Sequence, residues 1–200
     1  MEIAVTGASG FIGRHLVDAL RNKNHIVHTI GRTYFPLHCD RVYHLACPSS
    51  TAQIAADPKG IMDIILDKTR EALTICPTAT FVYASSMGVK DLANNAQGAY
   101  NTAKKCMEIY LEHSGITYYN YRLPSVYGPD MNPDGYVKRC VEGRAYYPSD
   151  PDTLHYIAHI DDVVNALINL SDIPIEEITL GNIYESFNSG RRGLSRATSY

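Results

Sequence analysis

The chain has 200 residues, of which 45% are hydrophobic and 20% charged, and its formal net charge is -3 at pH 7. This length suits one well-buried α/β core and is too short for two large domains. The mildly acidic balance gives no electrostatic footprint for nucleic acid or for an anionic membrane, so we expect neither as a partner. No apolar run approaches the roughly 18 to 20 residues of a membrane-spanning helix, and the first residues lack the features of a signal peptide. We therefore expect a cytoplasmic protein.

The cysteines are odd in number, widely separated and without CxxC spacing. They are Cys39, Cys47, Cys76, Cys106 and Cys140. This pattern indicates reduced thiols rather than a disulfide framework, and no cluster of histidine and cysteine suggests a metal site.

Predicted strands and helices alternate along the chain. The hydrophobic patterns predict strands over residues 2–5, 26–30, 41–45, 80–84 and 117–122, and helices over residues 11–21, 58–75, 99–113, 136–142 and 161–170. In the helix 99–113 the expected buried stripe is Cys106, Met107, Ile109 and Tyr110. Such alternation predicts a doubly wound parallel sheet with helices on both faces.

One connection of this sheet is short. Only eleven residues separate Ile30 from Val42, and a crossover with its own helix needs at least about 10 to 12 residues besides the strand. We therefore expect the sheet to lack a strand on the flank beside residues 26–30.

Three glycines follow the first strand at intervals of three residues. Gly7 permits a tight turn, Gly10 lets the backbone approach a pyrophosphate, and Gly13 lets the helix pack against the strand. The phosphates would meet free N–H groups and the positive end of the helix dipole. This indicates a Rossmann-type dinucleotide site; the alternative is a glycine-rich turn without a ligand.

A tyrosine and a lysine stand four residues apart on one predicted helix. Tyr100 could exchange a proton with a substrate hydroxyl while a hydride moves to or from a nicotinamide. The nearby ammonium of Lys104 and the positive nicotinamide ring would together favour the phenolate. Ser86, at the carboxyl end of a predicted strand, would hydrogen-bond the same oxygen. These three are the predicted catalytic residues.

Several motifs occur in one order. They are Thr6-Gly-x-x-Gly-x-x-Gly13, His44-Leu45-Ala46, Ser85-Ser86, Tyr100-x-x-x-Lys104, Arg122-Leu-Pro-Ser-Val-Tyr-Gly-Pro129 and His159-Ile-Asp-Asp-Val163. Over residues 1–170 the sequence thus resembles the extended short-chain dehydrogenase/reductase superfamily of nucleotide-sugar epimerases and dehydratases. The resemblance implies a nicotinamide cofactor, a nucleotide-sugar substrate, and a homodimer paired through helices 58–75 and 99–113.

The resemblance also implies a set of binding residues. The cofactor would contact Gly7, Ser9, Gly10, Phe11, Ile12, Gly13, Arg32, Leu45, Ala46, Cys47, Ala84, Ser85, Tyr100, Lys104, Leu123, Pro124 and Val126. The substrate would contact Ser86, Met87 and Ser125.

The choice of dinucleotide depends on the end of the second strand. NAD users of this type carry an acidic residue there, whereas this chain has Gly31 followed by Arg32. A guanidinium would bind a 2′-phosphate in a bidentate fashion. The sequence therefore favours NADP(H) over NAD, unless Arg32 stacks on the adenine or points to solvent.

Local motifs are most similar to the UDP-glucuronate decarboxylase branch, but two positions depart from it. Gly88 stands where that branch carries the glutamate of its decarboxylation step, and His155 stands where the wider family shows an arginine. Keto reduction or epimerisation therefore fits better than decarboxylation. The alternative is a non-catalytic NADP-binding sensor or interaction protein.

We expect a dinucleotide domain over residues 1–170, with part of a reduced substrate lobe inserted at about 125–157. Residues 171–200 would form a short C-terminal segment, with a polar tail that is mobile or ordered only by a partner. Asp161 is predicted to cap the helix that follows it, and His44 and His159 are predicted to be structural.

Overall fold

The structure, a computed structural model, describes residues 1–32, 38–48, 50–133, 135–142 and 154–179. The chain divides into two compact units, Met1–Leu123 and Pro124–Tyr200. The first contains β1 (Glu2–Thr6), α1 (Phe11–Asn22), β2 (Ile26–Ile30), β3 (Arg41–His44), α2 (Thr51–Ala56), α3 (Pro58–Leu73), β4 (Thr80–Ser86), α4 (Ala96–Glu112) and β5 (Tyr118–Leu123). The second contains β6 (Ser125–Tyr127), α5 (Tyr136–Val141), β7 (Leu154–His159), α6 (Ile160–Asn169) and β8 (Glu176–Thr179).

The five strands of the first unit form one parallel sheet in the order β2-β1-β3-β4-β5. Helices α1, α3 and α4 lie in the connections between successive strands. The strand order reverses between β1 and β3, and ligands of open α/β sheets bind outside the carboxyl ends of the strands at such a point. The predicted Rossmann-type sheet is confirmed.

Strand β2 is an edge of this sheet. In the part of the chain that the structure describes, it pairs only with β1, in the register Glu2 with Ile26 through Thr6 with Ile30. Its first residue, Ile26, is 60% exposed. The absence of a further flank strand among the described residues agrees with the short connection between residues 30 and 42.

The core of the first unit lies on both faces of the central strands. Ile3, Ala4 and Val5 of β1 are fully buried, as are Tyr43 of β3 and Val82 of β4. Central parallel strands are covered on both sides, which is why their sequences are continuous apolar runs rather than alternating patterns.

Helix α4 buries a different face from the one predicted. Of the expected stripe only Met107 is buried, whereas Cys106, Ile109 and Tyr110 are exposed. The buried face instead carries the polar side chains of Asn101, Lys104 and Glu108 together with Ala103, Met107 and Leu111. The prediction was wrong because these polar groups find partners inside the protein, so burial does not follow hydropathy on this helix.

The remaining differences concern element ends and short elements. The sequence missed α2, and it placed the start of α4 three residues late. The Asn95 side chain caps that helix by accepting a hydrogen bond from the backbone N–H of Gly98 at 2.8 Å. Strands β6, β7 and β8 were also missed. The predicted polar tail at residues 187–200 lies outside the described residues.

The second unit contains a small sheet in the order β6-β7-β8, in which β7 is parallel to β6 and antiparallel to β8. Tyr127, Val137, Cys140 and Ile157 form its apolar cluster. The cap of α6 is His159, whose Nδ1 accepts a hydrogen bond from the backbone N–H of Asp161 at 3.3 Å. The prediction that Asp161 caps this helix was wrong, because the helix begins one residue earlier. Within the residues described, no helix is long and apolar enough to cross a membrane.

Candidate active site

The turn between β1 and α1 depends on glycine for steric reasons. Gly7 has φ +70°, and a Cβ there would lie 2.6 Å from the backbone nitrogen of Ala46. A Cβ on Gly13 would overlap the carbonyl oxygen of Gly7. The turn therefore packs directly on the segment after β3 and on the first turn of α1, and any side chain at these positions would force them apart.

The N-terminus of α1 is open to an anion. The helix begins at Phe11 after the N-cap Gly10, with no side-chain capping bond and no acidic residue in its first turn. The first N–H groups of a helix have no partners within the helix, and they carry the positive end of its dipole. A helix end of this kind favours a phosphate group.

A cavity of about 840 Å³ opens beside this turn. Its lining includes the predicted cofactor residues Gly7, Ser9, Arg32, Ala46 and Cys47. It therefore extends from the glycine turn along the ends of β2 and β3.

Basic side chains dominate the charge of this cavity, with Arg14, Arg21, Arg32 and Lys68 against Asp18. The Lys68 ammonium is already engaged, since it lies 2.6 Å from the Glu71 carboxylate and 3.4 Å from the Arg32 carbonyl oxygen. Arg21 and Arg32 are exposed. Among the described side chains, neither guanidinium forms an ion pair.

The three predicted catalytic residues lie on β4 and α4 of the first unit. Ser86 ends β4, and its hydroxyl oxygen accepts a hydrogen bond from the backbone N–H of Gly88 at 3.1 Å, where a 3-10 turn begins. Lys104 is only 3% exposed and donates to the carbonyl oxygen of Ala84 on β4 at 2.6 Å. Its Nζ is 4.8 Å from the centre of the Tyr83 ring and 6.0 Å from that of the Tyr100 ring. A buried ammonium thus lies beneath Tyr100.

The protein environment raises, rather than lowers, the pKa of Tyr100. Burial raises the pKa of this phenol well above its ordinary value, and the neighbouring Cys47 thiol, which hydrogen-bonds to it, adds to the rise. Desolvation disfavours the charged phenolate, and so it is the main cause of this rise. In the protein alone Tyr100 is therefore a neutral phenol at pH 7.

An ion-pair network around the buried carboxylate of Glu108, which the sequence did not reveal, holds α4 against the sheet. Glu108 of α4 accepts hydrogen bonds from Arg122 of β5 at 2.9 and 2.7 Å and from the Ser85 hydroxyl at 2.7 Å. Lys105 contacts the same carboxylate at 3.2 Å. Burial would raise the pKa of Glu108, but these hydrogen bonds outweigh it and hold the pKa at about 2. The only sequence signal was a glutamate four residues after Lys104, on the same face of the helix.

Two predicted residues have clear structural roles. The Ser85 hydroxyl, expected to contact the cofactor, donates to Glu108. His44 is buried between Thr6 and Thr69, with its ring nitrogens 2.8 and 3.2 Å from their hydroxyl oxygens. Burial, together with the charge of Lys104, lowers the pKa of His44 to about 3. The ring is neutral, as a structural histidine requires.

The other predicted residues are divided between the two units. Phe11, Ile12, Leu45, Ala84, Met87 and Leu123 lie in the first, and Pro124, Ser125 and Val126 lie in the second. Ser125 and Val126 form most of β6.

Comparisons with known proteins identify the family of this chain. The profile of the NAD dependent epimerase/dehydratase family matches residues 3–174. UDP-glucuronic acid decarboxylase 3 of Arabidopsis thaliana is 25% identical over 86% of this chain. The chain spans 66% of the length of that relative.

Solved structures share the fold at lower identity. A structure of MoeE5 in complex with UDP-glucose and NAD has a TM-score of 0.76 at 21% identity, covering 96% of this chain and 82% of that one. A structure of RMD from Pseudomonas aeruginosa complexed with NADPH has a TM-score of 0.70 at 19% identity, covering 92% and 79%. The likeness therefore extends over both units.

Proposed function

Because the chain belongs to the NAD dependent epimerase/dehydratase family, we propose that it is an oxidoreductase or epimerase acting on a nucleotide sugar. The reacting position would be a hydroxyl or keto group of the sugar. The observation that carries this proposal is the pairing of Tyr100 with the buried ammonium of Lys104, beside the end of β4 that carries Ser86. Nucleotide sugars are supported as the substrate class by relatives such as MoeE5, which binds UDP-glucose.

A nicotinamide dinucleotide fits the residues of the first unit. The uncapped start of α1 would hold the pyrophosphate, and the cavity beside it has room for the adenosine half. We propose NADP(H) rather than NAD, because Gly31 replaces the usual acidic residue and the Arg21 and Arg32 guanidiniums line the cavity without ion pairs among described residues. A 2′-phosphate would find two cations there.

In the proposed reaction Tyr100 transfers the proton. Because its phenol is neutral, Tyr100 can donate a proton to a keto oxygen, which favours the reaction in the direction of reduction. Lys104 lies beneath the ring and stabilises the phenolate that remains. The Ser86 hydroxyl would hydrogen-bond the same substrate oxygen. The bound nicotinamide supplies or accepts the hydride.

Decarboxylation fits the site less well than reduction or epimerisation. A Cβ on Gly88 would lie 2.5 Å from the side-chain oxygen of Asn101. Asn101 is buried and donates to the carbonyl oxygen of Asp91 at 2.7 Å, so it is not free to move aside. A side chain at position 88 would therefore require the Asn101 side chain to move and to give up this hydrogen bond.

We also propose a homodimer paired through α3 and α4. Ile109 and Tyr110, expected to be core residues, are 46% and 49% exposed on α4. Adjacent apolar side chains on an exposed helix face are typical of a surface covered by a partner.

The central test compares Tyr100→Phe with the parent in NADPH consumption against a panel of 4-keto nucleotide sugars. We expect a loss of about 100-fold or more, as is usual when a proton-transfer group is removed, with cofactor binding retained. Tyr119→Phe is the matched control, because Tyr119 is exposed on β5. Equal rates for Tyr100→Phe and the parent would exclude Tyr100 from catalysis.

A second candidate is a non-catalytic NADP-binding sensor. The raised pKa of Tyr100 favours it, because a desolvated neutral phenol that packs against the apolar cluster of Ile61 and Ile65 can be a packing residue. Cofactor binding by the parent without turnover of any substrate in the panel would support this candidate.

A further inference from the structure

Two buried cysteines lie against each other at the amino ends of β3 and β4, away from the carboxyl ends that carry the candidate active site. Cys39 precedes β3 by two residues and Cys76 precedes β4 by four. Each is 6% exposed. The Cys76 thiol donates to the backbone carbonyl oxygen of Cys39 at 3.2 Å, and the two thiols also interact directly.

The backbone around this pair is anchored to the sheet. The N–H of Asp40 donates to the carbonyl oxygen of Glu2 at 2.8 Å, and the N–H of Thr80 donates to the carbonyl oxygen of Asp40 at 3.1 Å. Both segments are therefore held on neighbouring strands. The Cys76 sulfur lies 3.2 Å from the backbone oxygen of Cys39 on this anchored segment, and a disulfide first requires that the two cysteines be close in this way.

The two thiols differ in their chemistry. Burial and the neighbouring Cys76 thiol raise the pKa of Cys39 to about 12. Burial would also raise the pKa of Cys76, but its hydrogen bonds with Cys39 and Thr78 outweigh burial, and the pKa of Cys76 is lowered. Because the thiolate is the nucleophile, we expect Cys76 to attack a peroxide first and Cys39 to resolve the product.

We propose that Cys39 and Cys76 are a redox dithiol that a hydroperoxide closes to a disulfide and a thiol reductant reopens. The Cys76 thiolate attacks one peroxide oxygen, and the O–O bond breaks. Hydroxide departs, and Cys76 becomes a sulfenic acid. The Cys39 sulfur then attacks the Cys76 sulfur, the S–O bond breaks, and water leaves as the S–S bond forms. In sum two thiols lose two electrons, and one hydrogen peroxide becomes two waters.

The disulfide would close residues 39–76, which include β3, α2 and α3. A cross-link over a loop of this size stabilises a protein chiefly by restricting its unfolded chain, so we expect Tm to rise by on the order of 10 °C. The site lies apart from Ser86, Tyr100 and Lys104, so this proposal stands whether or not the proposed catalytic function is correct.

The test treats the reduced full-length chain with hydrogen peroxide and then alkylates the remaining thiols under denaturing conditions. Exposed Cys106 is the internal control. The peroxide concentration is increased until a dione that traps sulfenic acids labels about half of the Cys106 side chains. This dose is one at which an exposed thiol reacts. We expect peptide mass spectrometry to find Cys39 linked to Cys76, the link to disappear with dithiothreitol, and Tm to rise in the oxidised chain.

Two variants complete the test. The Cys106→Ser variant should form the same linked peptide. In the Cys76→Ser variant the Cys39 thiol should remain free after the same peroxide dose, and so it should be recovered in its alkylated form. The proposal is overturned if Cys106 reacts while Cys39 and Cys76 both keep free thiols. A link from either cysteine to a different cysteine would overturn it equally. Because the decisive measurement uses the unmodified chain, a variant that fails to fold does not affect it.

Discussion

Replacing Glu108 by glutamine removes the negative charge that Arg122, Lys105 and Ser85 surround. The pKa of this carboxyl is about 2 in the folded chain against an ordinary 4.5. That difference corresponds to about 3 kcal/mol of stability at neutral pH, at about 1.4 kcal/mol for each pKa unit. The Arg122 side chain is 41% exposed, so solvent screens part of the interaction and we expect a loss of about 2 kcal/mol. Tm should fall by about 4 to 8 °C.

The pH dependence of this loss is the sharper observable. A carboxyl whose pKa is lowered by folding contributes stability that is fully present above pH 4.5 and is lost as the pH falls toward 2. The difference in Tm between Glu108→Gln and the parent should therefore be constant from pH 7 to about 5 and shrink below pH 4.5. Thermal unfolding followed by circular dichroism at several pH values measures it.

The control is Glu112→Gln on the same helix. Glu112 is exposed, so its replacement should leave Tm unchanged within about 1 °C, as is usual for surface positions. A Tm difference for Glu108→Gln that is the same at pH 3 and pH 7 would refute the assignment of the stability to the charge. The loss would then come from packing.

Two further predictions concern the cofactor and the assembly. Arg32→Ala should weaken NADPH binding by about 10- to 100-fold while NADH binding changes little, since only NADPH has a 2′-phosphate for the guanidinium. Calorimetry would measure the affinity for both cofactors. An equal loss of affinity for NADPH and NADH would contradict the NADP(H) proposal. Ile109→Asp should convert the dimer to monomers in analytical ultracentrifugation with cofactor binding retained, whereas a parent that is already monomeric would contradict the proposed interface.

The sequence predicted well where local pattern and burial coincide. The buried runs at the starts of β1 and β4 and the glycine turn carry signals within a few residues, so the parallel sheet and its order of elements followed from them. The exposed edge at β2 followed from the length of a single connection. Strand β7 was missed because His155 and Tyr156 interrupt any apolar run, and its pairing with β6 and β8 is set at long range.

The sequence failed where polar groups are buried. The predicted stripe places Ile109 and Tyr110 on the inside of α4, whereas the structure exposes both and buries Lys104 and Glu108. The reversal depends on partners such as Arg122 on β5, which no local pattern identifies. The rise in the pKa of Tyr100 was missed for a related reason, because desolvation is a property of the packed environment rather than of the spacing to Lys104.

The glycine turn has a consequence for how such sequences are interpreted. A side chain at Gly7 would collide with the backbone of Ala46, and one at Gly13 would collide with the carbonyl oxygen of Gly7. Both glycines are thus demanded by the protein's own architecture, and a relative that had abandoned its dinucleotide would still need them in order to fold. At Gly10 the only close neighbour of an added methyl is the Gly7 carbonyl oxygen at 3.2 Å. This contact is tight but needs a shift of only a few tenths of an ångström, so of the three positions Gly10 is the one that the fold constrains least.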